Sequence, residues 1–106
     1  MKRSESRESA FLLLFEASFS DIPDKEAILS ASSEVGEILT DDYAVGVFSG
    51  VIDHQEQIDA EIAKHSLKWN TKRLSRVVLT ALRIAIYESQ FLGLDLSVAI
   101  NEAVEL

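Results

Sequence analysis

The stretch from Leu74 to Phe91 constrains the fold of this chain more than any other part of its sequence. Apolar residues recur in it at helical spacing and also occupy the remaining faces: Leu74, Val77, Val78, Leu79, Ala81, Leu82, Ile84, Ala85, Ile86, Tyr87 and Phe91. A helix that is apolar around most of its circumference must be enclosed by other helices. The stretch is too short, and too often interrupted by charged residues, to span a bilayer. It therefore predicts the central helix of a bundle, with Gly93 as its C-terminal stop and Asn70 or Thr71 as its N-cap.

The composition favours one small all-α domain. A chain of 106 residues has room for a single core, and its four glycines and one proline are too few for the turns of a β fold. The absence of cysteine excludes disulfides and thiolate metal sites. The apolar run Ala10–Phe15 is short, is followed at once by Glu16, and lacks a small-residue cleavage site. We interpret it as part of a mature helix in a cytoplasmic protein rather than as a signal peptide.

Helical periodicity predicts about six helices in two small sub-bundles. The first runs from about Ser4 to Phe19. Its inward side chains are Phe11, Leu12, Leu14, Phe15 and Phe19, and its outward ones are Arg3, Arg7 and Glu8. Asp24 and Asp95 can cap the second and last helices, and one of Thr40, Asp41 and Asp42 can cap the third. Gly46 and Gly50 in the third helix indicate a close helix contact.

The net charge of −8 is unevenly distributed. The segment Glu16–Glu61 holds twelve acidic residues and one basic residue, Lys25. The segment Ile62–Tyr87 holds six basic residues and no acidic one, and Lys2, Arg3 and Arg7 form a second basic cluster. This pattern argues against non-specific polyanion binding but allows a local anion-binding face. Alternatively, the basic run pairs with the acidic half of the chain inside the bundle.

No catalytic pattern is visible in the sequence. His54 and His65 lack the spacing of metal ligands, and we interpret them as surface or packing residues. Phosphate-binding glycine loops, nucleophile elbows and Walker-type lysines are also lacking. The sequence therefore predicts a non-enzymatic helical interaction domain with a basic patch, without catalytic residues, cofactor or metal.

Four blocks of the sequence resemble the NusB family of bacterial transcription antitermination factors. They are Arg7–Ala10 with Leu14–Glu16, Asp42–Tyr43 with Gly50–Val51 and Ile58–Asp59, Trp69 with Arg73–Leu74 and Leu82–Glu88, and Val98–Leu106. The blocks follow the family's order and spacing over nearly the whole chain, and the last two are specific. The resemblance implies an all-α protein of two small bundles.

The resemblance also implies a function. Such a protein forms a heterodimer with the ribosomal protein NusE and binds single-stranded boxA-type RNA in nascent ribosomal RNA, and so acts on the transcribing RNA polymerase complex indirectly. Carried over by position, the RNA-binding residues are Lys2, Arg3, Arg7, Lys68, Trp69, Lys72, Arg73 and Arg76. Clustered cations suit phosphates, and an aromatic ring suits unpaired bases. Trp69 can equally well cover the core beside Leu67 and Leu74.

Arg83 is expected to form a buried ion pair rather than an RNA contact, because it lies within the apolar helix. Glu102 is its expected partner, since Glu88 follows only five residues later.

The family continues past the last block with further helical segments, so residues 1–106 are expected to form a single, C-terminally incomplete RNA-binding domain. The side chains of Ile86, Ile100 and Val104 are then expected to be exposed, and the chain to self-associate as a homo-oligomer.

Two other functions remain open. The chain could be the NusB-like N-terminal domain of an rRNA cytosine methyltransferase, although the α/β cofactor domain and catalytic Cys of such an enzyme are not in this sequence. It could also be a protein-only helical adaptor with an incidental basic patch.

Overall fold

The computed structural model describes residues 2–20, 24–35, 40–65 and 75–104. Within these ranges the chain forms six helices and no strand. The helices are α1 (Arg3–Ala17), α2 (Lys25–Val35), α3 (Asp42–Asp53), α4 (Gln55–His65), α5 (Arg76–Leu92) and α6 (Leu96–Val104). The all-α prediction is confirmed. In the same ranges, none of the helices is long and apolar enough to cross a membrane.

Helix α5 is the central helix, as predicted, because α1, α3, α4 and α6 all pack against it. It begins after Ser75, whose hydroxyl accepts the Val78 N–H at 3.2 Å. Ser75 therefore caps α5 in place of Asn70 or Thr71, which lie outside the described residues. At the other end, Gly93 adopts a φ of +75°, a left-handed conformation that glycine enters without strain.

Buried apolar side chains form two clusters that share α5. The larger comprises Ala10, Leu13, Leu14, Ala17, Ala44, Val47, Phe48, Val51, Ile58, Ile62, Leu82, Ile84 and Ile86. The smaller joins α5 to α6 through Ala85 and Ala99, with Ala81, Leu94 and Ile100 beside them. The small side chains at 81, 85 and 99 allow α5 and α6 to approach closely. The larger cluster therefore spans α1, α3, α4 and α5, whereas the smaller one covers only the contact of α5 with α6.

The buried face of α1 differs from the predicted one. Its fully buried apolar residues are Ala10, Leu13, Leu14 and Ala17, which recur at i, i+3, i+4 and i+7. Leu12 and Phe19 are 44% and 63% exposed, so their predicted burial is wrong. The predicted exposure of Ile86 is also wrong, because Ile86 belongs to the larger cluster; Ile100 is half-buried, and the side chain of Val104 is not among the described ones.

The two glycines of α3 differ in their surroundings. A Cβ at Gly50 would lie 2.3 Å from atoms of the Tyr87 ring, so this glycine allows α3 and α5 to pack closely. A Cβ at Gly46 would meet nothing within 4 Å. The predicted close contact is therefore confirmed at Gly50 and wrong at Gly46.

Candidate nucleic-acid interface

Lys2 and Arg3 are exposed at the start of α1. The backbone N–H of Lys2 donates to Glu5 Oε1 at 3.1 Å, and its carbonyl accepts the Ser6 N–H at 3.0 Å, which fixes the first turn of the helix. The guanidinium carbon of Arg3 lies 3.6 Å from the centroid of the Tyr43 ring on α3. We call Lys2 and Arg3 the N-terminal cationic surface.

Arg7 lies one helical turn further on and points into the protein. Only 8% of the residue is exposed, so its predicted outward orientation is wrong. Its Nε donates to both carboxylate oxygens of Glu88 at 2.9 Å, and a terminal nitrogen donates to Glu102 Oε2 at 3.3 Å. The Tyr43 hydroxyl also donates to Glu88. We call Arg7, Tyr43, Glu88 and Glu102 the Arg7–Glu88 cluster.

The Arg7–Glu88 cluster exists because α5 buries a carboxylate. Glu88 is 1% exposed, and an isolated buried carboxylate is strongly unfavourable unless a cation and hydrogen-bond donors accompany it. Arg7 and Tyr43 supply these from α1 and α3. Burial of the phenol and its hydrogen bond to Glu88 raise the pKa of Tyr43 to about 12. The cluster therefore connects α1, α3, α5 and α6 and occupies the guanidinium of Arg7.

A second polar contact sets the start of α3 against α1. Asp41 caps α3 by accepting the Ala44 N–H at 2.8 Å, and its other oxygen accepts the Ser6 hydroxyl at 2.5 Å. These hydrogen bonds, that of Ser6 above all, hold the pKa of Asp41 below its usual value. Because Tyr43 follows two residues after Asp41, the contact places the Tyr43 ring beside the first turn of α1.

Arg83 forms an ion pair, but with a different partner from the expected one. Its Nε and a terminal nitrogen donate to the two Asp59 oxygens at 2.8 and 2.9 Å, which links α5 to α4. Glu102 instead contacts Arg7. Pairing of Arg83 with a carboxylate is thus confirmed and the choice of Glu102 is wrong. Asp59 is 24 positions from Arg83 in sequence and is near it only through the packing of α4 on α5.

Arg76, the other predicted RNA contact that the structure describes, is separated from the N-terminal cationic surface. Arg76 is exposed at the start of α5, where its guanidinium carbon lies 4.3 Å from the centroid of the Phe19 ring. Phe19 follows the C-terminal end of α1, and a helix of 15 residues is about 22 Å long. Arg3 and Arg76 therefore lie at opposite ends of α1. Lys68, Trp69, Lys72 and Arg73 are outside the described residues.

The sequence analysis did not identify Tyr43 as the ring beneath Arg3 or Glu88 as the partner of Arg7. The spacing of Arg3 and Arg7 places both on one helical face and cannot show which of them meets a carboxylate. One signal was available: Glu88 is an acidic residue within the largely apolar central helix, and a buried acidic residue requires a cation from another element. Within the described ranges, no three His, Cys, Asp or Glu side chains are grouped to hold a metal ion.

Comparison with known proteins identifies the family. Residues 4–106 match the model of the NusB family. The chain belongs to the NusB family. It is similar to the transcription antitermination protein NusB of Bacillus subtilis, with 38% identity over 100% of this chain and 79% of the relative. The protein of the same name from Clostridium acetobutylicum is 38% identical over 100% of this chain and 80% of the relative. That of Thermoanaerobacter sp. is 32% identical over 100% of this chain and 76% of the relative. No solved structure matches significantly.

The relatives are named as transcription antitermination proteins, not as enzymes. The family of this chain is therefore that of bacterial antitermination factors, and the exposed cations at the start of α1 are its candidate contact with nucleic acid.

Proposed function

We propose that this NusB-family chain is a cytoplasmic, non-enzymatic antitermination factor that binds boxA-type single-stranded RNA in nascent ribosomal RNA together with the ribosomal protein NusE. The match of residues 4–106 to the family carries this proposal. The physical support is local: Lys2 and Arg3 are exposed, although the chain as a whole has a net charge of −8. An acidic protein with a small cationic surface suits one defined stretch of RNA better than polyanions in general.

The proposed RNA contacts fall into two groups. Lys2 and Arg3 contact the strand at the start of α1. Arg76 contacts it at the other end of the helix. Lys68, Trp69, Lys72 and Arg73, which are outside the described residues, are further proposed contacts. The separation of about 22 Å along α1 means that one RNA strand reaches both groups only by running along the protein. Arg7 is assigned a structural role, because its guanidinium is occupied by Glu88 and Glu102.

An exposed apolar surface is the proposed site of NusE. Leu12 on α1, Phe19 just after the end of α1, and Val77 and Val78 at the start of α5 are between 44% and 63% exposed. Phe19 contacts Arg76, so the two helix ends are adjacent. Exposed apolar residues grouped in this way are typical of protein–protein interfaces. The surface is separate from Lys2 and Arg3 but borders Arg76, so RNA and NusE would meet where Phe19 contacts Arg76.

The salt dependence of RNA affinity tests the proposal. We expect wild-type protein to bind a boxA-type strand more tightly than a scrambled strand of the same length, and more tightly still when NusE is present. Arg3→Ala should reduce the slope of log K against log salt by about 0.7, the value for one phosphate contact on a single strand. Lys64→Ala is the matched control, because Lys64 is a 73% exposed cation on α4, away from α1.

Two other results would change this proposal. Equal slopes for wild type and Arg3→Ala, with binding intact, would remove the start of α1 from the RNA site. Binding of NusE without any measurable RNA binding would favour a protein-only adaptor.

A further inference from the structure

The guanidinium of Arg3 lies flat on the face of the Tyr43 ring. Its central carbon is 3.6 Å from the ring centroid, which is van der Waals contact. A guanidinium that pointed an edge at the ring would hold its central carbon farther away. One face of the guanidinium is therefore against Tyr43, and because Arg3 is exposed, the other face is open to solvent.

The Tyr43 ring is held in place at both ends. Its hydroxyl donates to Glu88, which Arg7 holds from the other side. Its backbone is in the first turn of α3, which Asp41 caps while accepting the Ser6 hydroxyl. Tyr43 thus needs no reordering to support Arg3, and a preformed surface loses less entropy on binding than a mobile one.

An open guanidinium face backed by an aromatic ring has a well-defined chemical use. Unpaired RNA bases stack on guanidinium planes as well as on aromatic rings. The N–H groups at the edge of the same guanidinium remain free to donate to a phosphate. A lysine ammonium can also attract a phosphate, but it has no planar face on which a base can stack.

We propose that Arg3 and Tyr43 form a stacking platform that receives one unpaired nucleobase of the bound RNA. Arg3 contacts the base, and Tyr43 is the positioning residue beneath it. This inference rests on the proposed RNA-binding function and adds to it a base contact at the start of α1. Because every base has a π-face, the platform accepts any of the four bases.

Abasic scanning of the RNA tests the platform. Single abasic nucleotides are placed in turn along a boxA-type strand, and affinity is measured for wild type, Arg3→Lys and Tyr43→Leu. At one position the abasic strand should bind wild type on the order of tenfold more weakly than the intact strand. Arg3→Lys should bind the intact strand more weakly than wild type by a similar factor. Its affinity should not fall further when the nucleotide at that position is abasic. Its salt slope should equal that of wild type, because the charge is kept.

Tyr43→Phe is the conservative control. It keeps the ring beneath Arg3 and loses only the hydroxyl, so the abasic profile of wild type should persist. Tyr43→Leu removes the ring and should flatten the profile; if this variant does not fold, Arg3→Lys, a substitution at an exposed residue, decides the question alone.

The outcomes separate the platform from the function. An abasic profile of Arg3→Lys identical to that of wild type would show that Arg3 acts only through its charge, which overturns the platform and leaves RNA binding intact. Failure of wild type to bind the strand, with or without NusE, would overturn the proposed function and the platform together.

Discussion

Arg3 and Arg7 lie one turn apart on the same face of α1, yet their guanidinium groups are in opposite environments. Arg7 is buried and bonded to Glu88 and Glu102, whereas Arg3 is exposed and rests on the outer side of the Tyr43 ring. Tyr43 links the two, because its ring face supports Arg3 and its hydroxyl donates to Glu88, the partner of Arg7. The N-terminal cationic surface is therefore built directly on the Arg7–Glu88 cluster, and a basic residue near a binding surface need not belong to it.

The largest expected effect comes from removing Arg7. Arg7→Ala leaves Glu88 buried without its cation, so the free energy of unfolding should fall by about 3 to 5 kcal/mol. Arg3→Ala removes only an exposed cation–π contact and should cost less than about 1 kcal/mol. Urea unfolding of the two variants measures both values. Equal losses would contradict the assignment of one arginine to the interior and one to the surface.

The two glycines of α3 give a second comparison between a packed and an open position, since Gly50 lies against α5 and Gly46 does not. Gly50→Ala places a methyl group against the Tyr87 ring and should destabilise the protein by about 1 to 3 kcal/mol. Gly46→Ala meets nothing and should stabilise α3 by up to about 1 kcal/mol, the difference in helix propensity. Thermal unfolding of the pair gives the sign of each change. A neutral Gly50→Ala would mean that Tyr87 moves away freely and that the helices are not closely packed there.

The phenol of Tyr43 should produce a smaller effect that depends on pH. Its pKa is raised to about 12 from 10.0, so the folded protein holds this proton more tightly than the unfolded chain. The resulting stabilisation is complete below about pH 10 and is lost as the pH rises to about 12. The difference in unfolding free energy between wild type and Tyr43→Phe should shrink over this interval. A constant difference would show that the pKa of the Tyr43 hydroxyl is not raised in the folded protein.

Much of the fold follows from local patterns. The apolar stretch around Leu82 predicted the central helix, and Gly93, Asp24 and Asp95 act at helix ends as predicted. These features depend on a few neighbouring residues, so they can be predicted without knowledge of the tertiary structure. A glycine within a helix is a weaker signal, because it correctly indicated the close contact at Gly50 but also predicted one at Gly46 that is absent.

The pairing of charges could not be predicted in the same way. Arg83 joins Asp59 on α4, and Arg7 joins Glu88, which is 81 positions away in sequence. Each choice depends on how helices pack, and several carboxylates were equally available by sequence. The choice of buried apolar residues on α1 was also not predictable: Leu12 is exposed, whereas the adjacent Leu13 and Leu14 face the core. On a helix with apolar residues at consecutive positions, only packing decides which of them is buried.

The arginine side chains themselves give the most direct test of these separate roles. In nitrogen–proton NMR spectra, the Nε–H of Arg7 should exchange slowly with water and stay unshifted when a boxA-type RNA is added, because it donates to buried Glu88. The Nε–H of Arg3 should exchange rapidly in the free protein and shift on RNA binding. An Arg7 signal that exchanges as fast as that of Arg3, or that shifts with RNA while Arg3 does not, would contradict the account.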